Sequence, residues 1–282
     1  MATTLHLLGT NGGPVVRTER WQPAHVITVD GVPYVIDCGD GVARRMVEAG
    51  LSLRDLATVF ITHHHCDHNL GYGPLLMLAW AAGLVTPVRA FGPPPLADIT
   101  AATLAANRYD IDIRTVDEGR PPLDRLISTS HVDRPGVVYQ DDLVRVTAVL
   151  VDHPPVQPSL AYRFDTPDTS IVLSGDTAPC DALVELATGA EFLVHEALFT
   201  PLLDRELAVV PNAPMLRAHL LASHTPVEQV GPLAERAGVP NLILTHLVPG
   251  GADVTDEMWL EEATRGFSGT VTVGADLMSF DR

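Results

Sequence analysis

Basic residues are scarce in this chain. Its 282 residues include 18 lysines plus arginines against 35 aspartates plus glutamates, a formal charge of -17. A field of that sign repels phosphate backbones and anionic membranes, which argues against a long nucleic acid or a membrane as partner. Bound divalent cations would offset part of the charge and reverse it locally. Aromatic residues make up only 5%, so valine, leucine, isoleucine and alanine must fill the core. The three cysteines, Cys38, Cys66 and Cys180, are too few for a disulfide framework. An odd number of free thiols suits a reducing compartment. No apolar run approaches the length needed to span a bilayer. Met1 to Pro14 lacks a basic start followed by an apolar stretch, so no signal peptide is expected. The expectation is a soluble, cytoplasmic protein.

The remaining composition is that of a globular protein, 46% hydrophobic and 19% charged. Short apolar runs alternate with helical patterns. Val26–Val29 and Tyr34–Ile36 read as a hairpin around Asp30-Gly31. The turn Asp37-Cys38-Gly39-Asp40-Gly41 leads to a helix stopped by Gly50, and Ser52 with Asp55 resembles a helix cap. Thr58–Thr62 reads as a strand, Gly73–Ala82 as a helix, Val88–Phe91 as a strand and Leu96–Asn107 as a helix. From Asp110 to Asp141 the pattern weakens into an irregular excursion. Strands resume at Leu143–Val151, Leu160–Phe164, Ile171–Ser174, Phe192–Val194 and Leu242–Thr245. Pro201 to Ala222 reads as irregular and is placed over the active site. Thr225-Pro226-Val227-Glu228 looks like a capped helix start, with Gly238 as its end. No internal repeat appears, and one α/β domain over residues 1–282 is the simplest organisation.

Chemistry concentrates in Thr62-His63-His64-His65-Cys66-Asp67-His68-Asn69, directly after the strand at Val59–Ile61. His-x-His-x-Asp-His packs four possible ligands into one turn at a rigid strand end. Imidazole nitrogen binds zinc at about 2.0–2.1 Å and carboxylate oxygen at about 2.0–2.2 Å. Such a turn can aim His63 and His65 at one ion, and Asp67 and His68 at a second. A histidine-rich surface turn is the bland alternative, but such turns rarely follow a buried strand with this spacing. His153, Asp176 in Ser-Gly-Asp-Thr, and His246 each follow a further strand. Strand ends are where loops gather polar groups over a sheet, so these residues suit the same site.

These motifs resemble the metallo-β-lactamase superfamily over nearly the whole chain, from Leu8-Gly9-Thr10 through His246. The resemblance implies a four-layer αββα sandwich with two metals on one edge. It assigns His63, His65 and His153 to one metal, Asp67, His68 and His246 to the other, and Asp176 to both. Val194-His195-Glu196-Ala197 and Ala222-Ser223-His224-Thr225 resemble two motifs of the ribonuclease Z-like group, with Leu198 replacing that group's threonine. The resemblance makes His224 and Glu196 a pair that delivers a proton to the leaving group, and places Asp67 with them in the catalytic set. A carboxylate that orients an imidazole raises its basicity, which suits that task.

The branch also shows by what is missing. Transfer-RNA-processing members carry a basic arm between the positions matching His153 and Asp176. Here 23 residues separate them, mostly taken by two strands. The run from Ser223 to Pro249 looks most like the arylsulfatase and phosphodiesterase branch. Lactonases of the superfamily have a tyrosine where this chain has Pro179, and classical zinc β-lactamases a cysteine where it has Asp176. The expected activity is binuclear hydrolysis by a metal-bound hydroxide of small phosphodiesters, cyclic nucleotides included, or of aryl sulfate esters. A lactonase or other carboxylic-ester hydrolase is the alternative, and a non-catalytic metal-stabilised binding module comes from another class. Zinc is favoured by the histidines, manganese or iron being compatible with the same set. A homodimer is expected from the relatives. His64 and Cys66, interposed between ligands, are expected to point away, and His131 and His219 to lie on the surface. Trp21, Trp80 and Trp259 are expected to pack, and Gly12-Gly13-Pro14 to form a turn lining the site.

Overall fold

The structure is a computed structural model describing residues 2–251 and 253–282. Its first sheet is built from β1 (Thr3–Gly9), β2 (Ala24–Val29), β3 (Val32–Ile36), β4 (Thr58–Phe60), β5 (Val88–Gly92) and β6 (Ile127–His131). The second sheet holds β7 (Gly136–Gln140), β8 (Arg145–Val151), β9 (Ser159–Asp165), β10 (Ser170–Leu173), β11 (Phe192–Leu198), β12 (Asn241–Val248) and β13 (Thr270–Val273). A last strand, β14 (Met278–Asp281), returns to the first sheet and pairs antiparallel with β1. Spatial order is β14-β1-β2-β3-β4-β5-β6 in one sheet and β13-β12-β11-β10-β9-β8-β7 in the other. Each sheet is mixed: the β14-β1-β2-β3 and β10-β9-β8-β7 neighbours run antiparallel, and the remaining pairs run parallel.

Two faces per sheet need two kinds of cover, and the alternation of the strands supplies it. Leu5, Leu7, Tyr34 and Phe60 point from the first sheet towards Val146, Ala148, Tyr162 and Phe164 of the second, forming the inner core. The opposite face of the first sheet, with Leu8, Val35 and Val59, packs on α1 (Val42–Glu48) and α3 (Tyr72–Ala81), which flank the single-turn α2 (Cys66–Asn69). Next come α4 (Leu96–Ala106), α5 (Arg108–Asp117) and α6 (Asp181–Ala187). Beyond these lie α7 (Leu203–Leu207), α8 (Ala213–Ser223), α9 (Val227–Ala237) and α10 (Asp256–Ala263). The outer face of the second sheet packs on α6, α9 and α10 through Leu183, Val230 and Trp259. Helix, sheet, sheet, helix is the layer order expected from the sequence. Trp80 and Trp259 are buried packing residues, as expected.

Several local expectations give way. Asp110–Asp141 is not irregular: it completes α5 and supplies β6 and β7, edge strands of different sheets. Ser52 caps no helix and precedes only a three-residue 3-10 turn at Leu53–Asp55. Thr225 leaves the start of α9 uncapped because its hydroxyl donates to the Thr177 carbonyl at 2.7 Å. Gly238 does end α9, at φ 67°. The segment at 201–222 is helical, forming α7 and α8. Their leucines Leu203, Leu207, Leu216 and Leu220 gather over Leu198 and Val248 in a cluster separate from the main cores. No helix among the described residues is long and apolar enough to cross a membrane.

Candidate metal centre

Strand ends of both sheets deliver the site residues. β4 ends at Phe60 and the chain runs through Ile61 and Thr62 into His63 and His65, with Asp67 and His68 in the turn of α2. β10 ends at Leu173 and is followed by Ser174, Gly175 and Asp176. Gly175 takes φ +58°, and a Cβ there would meet the Leu160 carbonyl oxygen at 2.5 Å, so the turn that aims Asp176 needs glycine. His153 follows β8. His246 comes from inside β12: pairing with β11 runs Glu196↔Thr245 and then Ala197↔Leu247, which leaves His246 unpaired. It takes φ 42° in this bulge. The extra residue turns its side chain out of the ladder and towards the other ligands.

The side chains named from the sequence meet at this edge in two overlapping groups. His65 Nδ1 lies 3.1 Å from both His63 Nε2 and His153 Nε2. Asp176 Oδ2 lies 3.7 Å from His63 Nε2 and 3.9 Å from His153 Nε2. In the second group, Asp67 Oδ2 lies 3.4 Å from His246 Nε2 and 3.6 Å from His68 Nε2. Asp176 spans both, with Oδ1 3.3 Å from His68 Nε2 and Oδ2 3.2 Å from His246 Nε2. Each group could hold a metal ion, and so could Asp176, His224 and His246 together.

The donor set fits a cation. Donors bound tetrahedrally at about 2.0–2.1 Å are about 3.3 Å apart, near the separations seen here. His68 Nε2 and Asp176 Oδ1 are buried without a hydrogen-bond partner, a costly state for protein groups alone. Outward ring nitrogens are fixed by neighbours. His153 Nδ1 donates to the Ser223 carbonyl at 2.8 Å, and His68 Nδ1 to Asp37 Oδ2 at 2.8 Å. The Thr62 hydroxyl donates to Asp37 Oδ2 at 2.8 Å, so its oxygen accepts from His63 Nδ1 at 3.1 Å. These contacts hold Nε2 of all three rings inward, the orientation metal ligands require.

Protonation states agree except at His68, which the carboxylates of Asp176, Asp37 and Asp67 hold well above the usual imidazole range against its burial. Burial, and then the neighbouring His68, push His63 well below the usual imidazole range. Burial carries His153 down to about 4. For Asp67, burial works upward, but the His68 and His246 rings outweigh it and hold the carboxyl at about 2. Asp176 is likewise held low against its burial by His246 and His68. Neutral imidazoles and ionised carboxylates are the forms that bind cations.

Glu196 and His224 sit beside this cluster. His224 Nδ1 donates to Glu196 Oε1 at 3.1 Å, and the same oxygen accepts from the Thr177 and Thr225 amides at 3.0 and 3.2 Å. Burial works downward on His224, yet the Glu196 carboxylate raises it to about 9. A cavity of about 220 Å³ opens on Asp67, Asp176, His65, His246 and His224.

Other residues depart from expectation. His64 does turn away, with Nε2 donating to the Pro93 carbonyl at 2.8 Å. Cys66 does not; it is exposed and lines the cavity. His131 is exposed as expected, whereas His219 reaches the cavity from α8. Gly13 also lines the cavity, and its amide donates to His246 Nε2 at 3.3 Å. Gly12 packs so closely on β12 that a Cβ would meet the Leu247 oxygen at 2.8 Å. Asp37 was read only as a turn residue. Its signal was the strand-end aspartate ahead of Gly39, in a left-handed conformation at φ 58°.

Stacked mixed sheets with imidazoles and carboxylates gathered at their strand ends mark a metal-dependent hydrolase of the metallo-β-lactamase fold. More narrowly, residues 3–206 match the model of the family described as Anti-Pycsar protein Apyc1, and the chain belongs to that family. Ribonuclease Z of Mycobacterium avium (strain 104) is 36% identical over 278 residues, covering 96% of this chain and 95% of its own. Ribonuclease Z of Mycobacterium bovis (strain BCG / Pasteur 1173P2) is 33% identical over 279 residues, with the same coverage. Among solved structures, the metallo-β-lactamase fold protein YhfI from Bacillus subtilis superposes with a TM-score of 0.72 at 19% identity, covering 100% of both chains. The short form of human tRNase Z gives 0.71 at 20% identity over 98% of each. These two likenesses speak for the fold.

Proposed function

We propose that this protein hydrolyses small phosphodiesters, cyclic nucleotides among them, with aryl sulfate esters as the neighbouring class. One observation carries the reading: members of both ligand groups (His65, Asp67, Asp176 and His246) and His224, backed by Glu196, open on one cavity of about 220 Å³. His63, His65 and His153 would hold one divalent cation, Asp67, His68 and His246 a second, and Asp176 both, with zinc the first choice. When bound, the cations supply Lewis acidity and an activated water nucleophile. The protein's own groups do the rest. Glu196 keeps the proton of His224 Nδ1, and Nε2 passes a proton to the departing alkoxide. Asp67 stays ionised and serves as a ligand on the cavity wall. The Ribonuclease Z relatives favour a phosphodiester as the scissile bond.

The Ribonuclease Z name of the relatives points to a nucleic acid and stands against the expectation of a small substrate, whereas three features support small size. The cavity lies below the usual range of about 300–1,000 Å³ for ligand pockets. No arginine or lysine lines it, so nothing on its wall grips a polyanion. The stretch between His153 and Asp176 is occupied by β9 and β10, leaving no room for a nucleic-acid-gripping arm.

Elemental analysis with hydrolysis of bis(p-nitrophenyl) phosphate tests the reading, using wild type and Asp176→Ala. Two metals per chain and diester cleavage, both lost in the variant, are expected. Metals without cleavage would move the substrate to sulfate esters or lactones, and absence of metal would sink the reading.

A further inference from the structure

The cavity wall opposite the ligands is one face of α8. Leu216, His219 and Leu220, spaced i, i+3 and i+4, share that face and all line the cavity. The His219 ring stands 6.2 Å from the His65 ring, 6.1 Å from His153 and 6.1 Å from His224, between centroids. It therefore overhangs the junction between one ligand group and the proton donor, without belonging to either.

Its tautomer is fixed by its own helix. The Ser223 hydroxyl has a single proton and donates it to the His219 carbonyl at 2.5 Å. The same oxygen lies 3.0 Å from His219 Nδ1, so Nδ1 carries a hydrogen and donates to it. In the neutral ring this tautomer leaves Nε2 a bare lone pair on the far edge, with no hydrogen-bond partner among the described residues.

A neutral acceptor repels a phosphate oxygen and attracts an O–H or N–H. With apolar neighbours on both sides, it is the only side chain of this wall that can read polarity. We propose that His219 is a substrate-contacting, specificity-determining residue whose Nε2 accepts a hydrogen bond from a hydroxyl on the organic group of the phosphodiester. Leu216 and Leu220 hold the apolar face of that group. The substrate class narrows to diesters of a polyol such as a ribonucleoside. This inference rests on the phosphodiesterase reading above.

Two probes share a leaving group and differ at the sugar: a ribonucleoside 5′-(p-nitrophenyl) phosphate and its 2′,3′-dideoxy counterpart. Wild type should prefer the first by about tenfold in kcat/KM, mostly through KM, the worth of one neutral hydrogen bond. His219→Ala should bring the ratio close to one, and His219→Gln, whose amide oxygen can accept from a similar position, should restore part of it. A wild type indifferent to the hydroxyls, or a His219→Ala enzyme that keeps the preference or loses both substrates in parallel, would overturn the assignment while the phosphodiesterase reading stands. Failure of wild type to cleave either diester would overturn both.

Discussion

Individual imidazoles in this site are distinguished by what their outer nitrogen touches. His63, His68 and His153 hand Nδ1–H to a hydroxyl, a carboxylate and a carbonyl, and each presents a lone pair inward. His224 hands Nδ1–H to a buried carboxylate that also raises its pKa, which suits it to the proton-donor role proposed above. Replacing His224 by alanine should therefore cost about 10²–10⁴-fold on diesters with alkyl leaving groups and far less on p-nitrophenyl diesters. Equal losses on the two, in steady-state kinetics, would remove the general-acid role. Residues of this kind were legible in the sequence because their positions follow strands and their spacing leaves few other purposes. Asp37 and His219 were not. Asp37 lies 25 and 31 positions from the partners that give it meaning, Thr62 and His68, and sits in a run that looks like an ordinary turn. His219 depends on which face α8 turns inward, and that is set by the cluster over Leu198 and Val248.

Among elements, the junction of β3, β5 and β7 is pinned by one carboxylate. Asp141 Oδ2 accepts from the Tyr34 hydroxyl at 2.8 Å and the Tyr139 hydroxyl at 2.7 Å, and Oδ1 from the Leu143 and Val144 amides at 2.8 Å. Arg89 on β5 donates to the Tyr139 oxygen at 2.7 Å. Partial burial would raise the Asp141 pKa, but the two tyrosines and then the amides outweigh it and bring it below the ordinary value. A depressed folded pKa means stability that is present above the unfolded carboxylate value, about 4, and lost as pH falls through the folded one. Asp141→Asn should lower stability near neutrality by about 1–3 kcal/mol. The gap to wild type in denaturant midpoint should narrow as pH drops below about 4. A gap independent of pH would refute this. The neighbouring strands β6 and β7 escaped the sequence reading for a related reason. They lie at sheet edges, largely exposed, so the alternation that marks a half-buried strand is weak, and the flanking prolines resemble loop. Central strands such as β4, β8 to β10 and β12, buried on one face or both, were readable, whereas β1 at Thr3–Gly9 was not.

Taken as a whole, the molecule carries a charge of -17 and contains no lysine, all 18 of its basic residues being arginine. None of those arginines lines the cavity. Balancing the buried Asp67 and Asp176 thus falls to the rings around them and to bound cations. Cations that bind only the folded chain stabilise it by about 2.7 kcal/mol each at a hundredfold excess over Kd. Chelation should accordingly lower Tm by several degrees, and restoring zinc should return it; an unchanged Tm by calorimetry would deny the cations any part in stability. The pairing of β1 with β14 has a consequence for assembly. Thr3 and Arg282 exchange backbone hydrogen bonds at 3.1 and 2.8 Å, so β1 is flanked by a strand far downstream of it, β14. A nascent chain emerges with His63 to His68 already exposed while Asp176, His246 and β14 are still unmade. Until synthesis reaches them, the first sheet has an open edge and the cation cluster is incomplete, so both must be closed by residues made long after the first ligands.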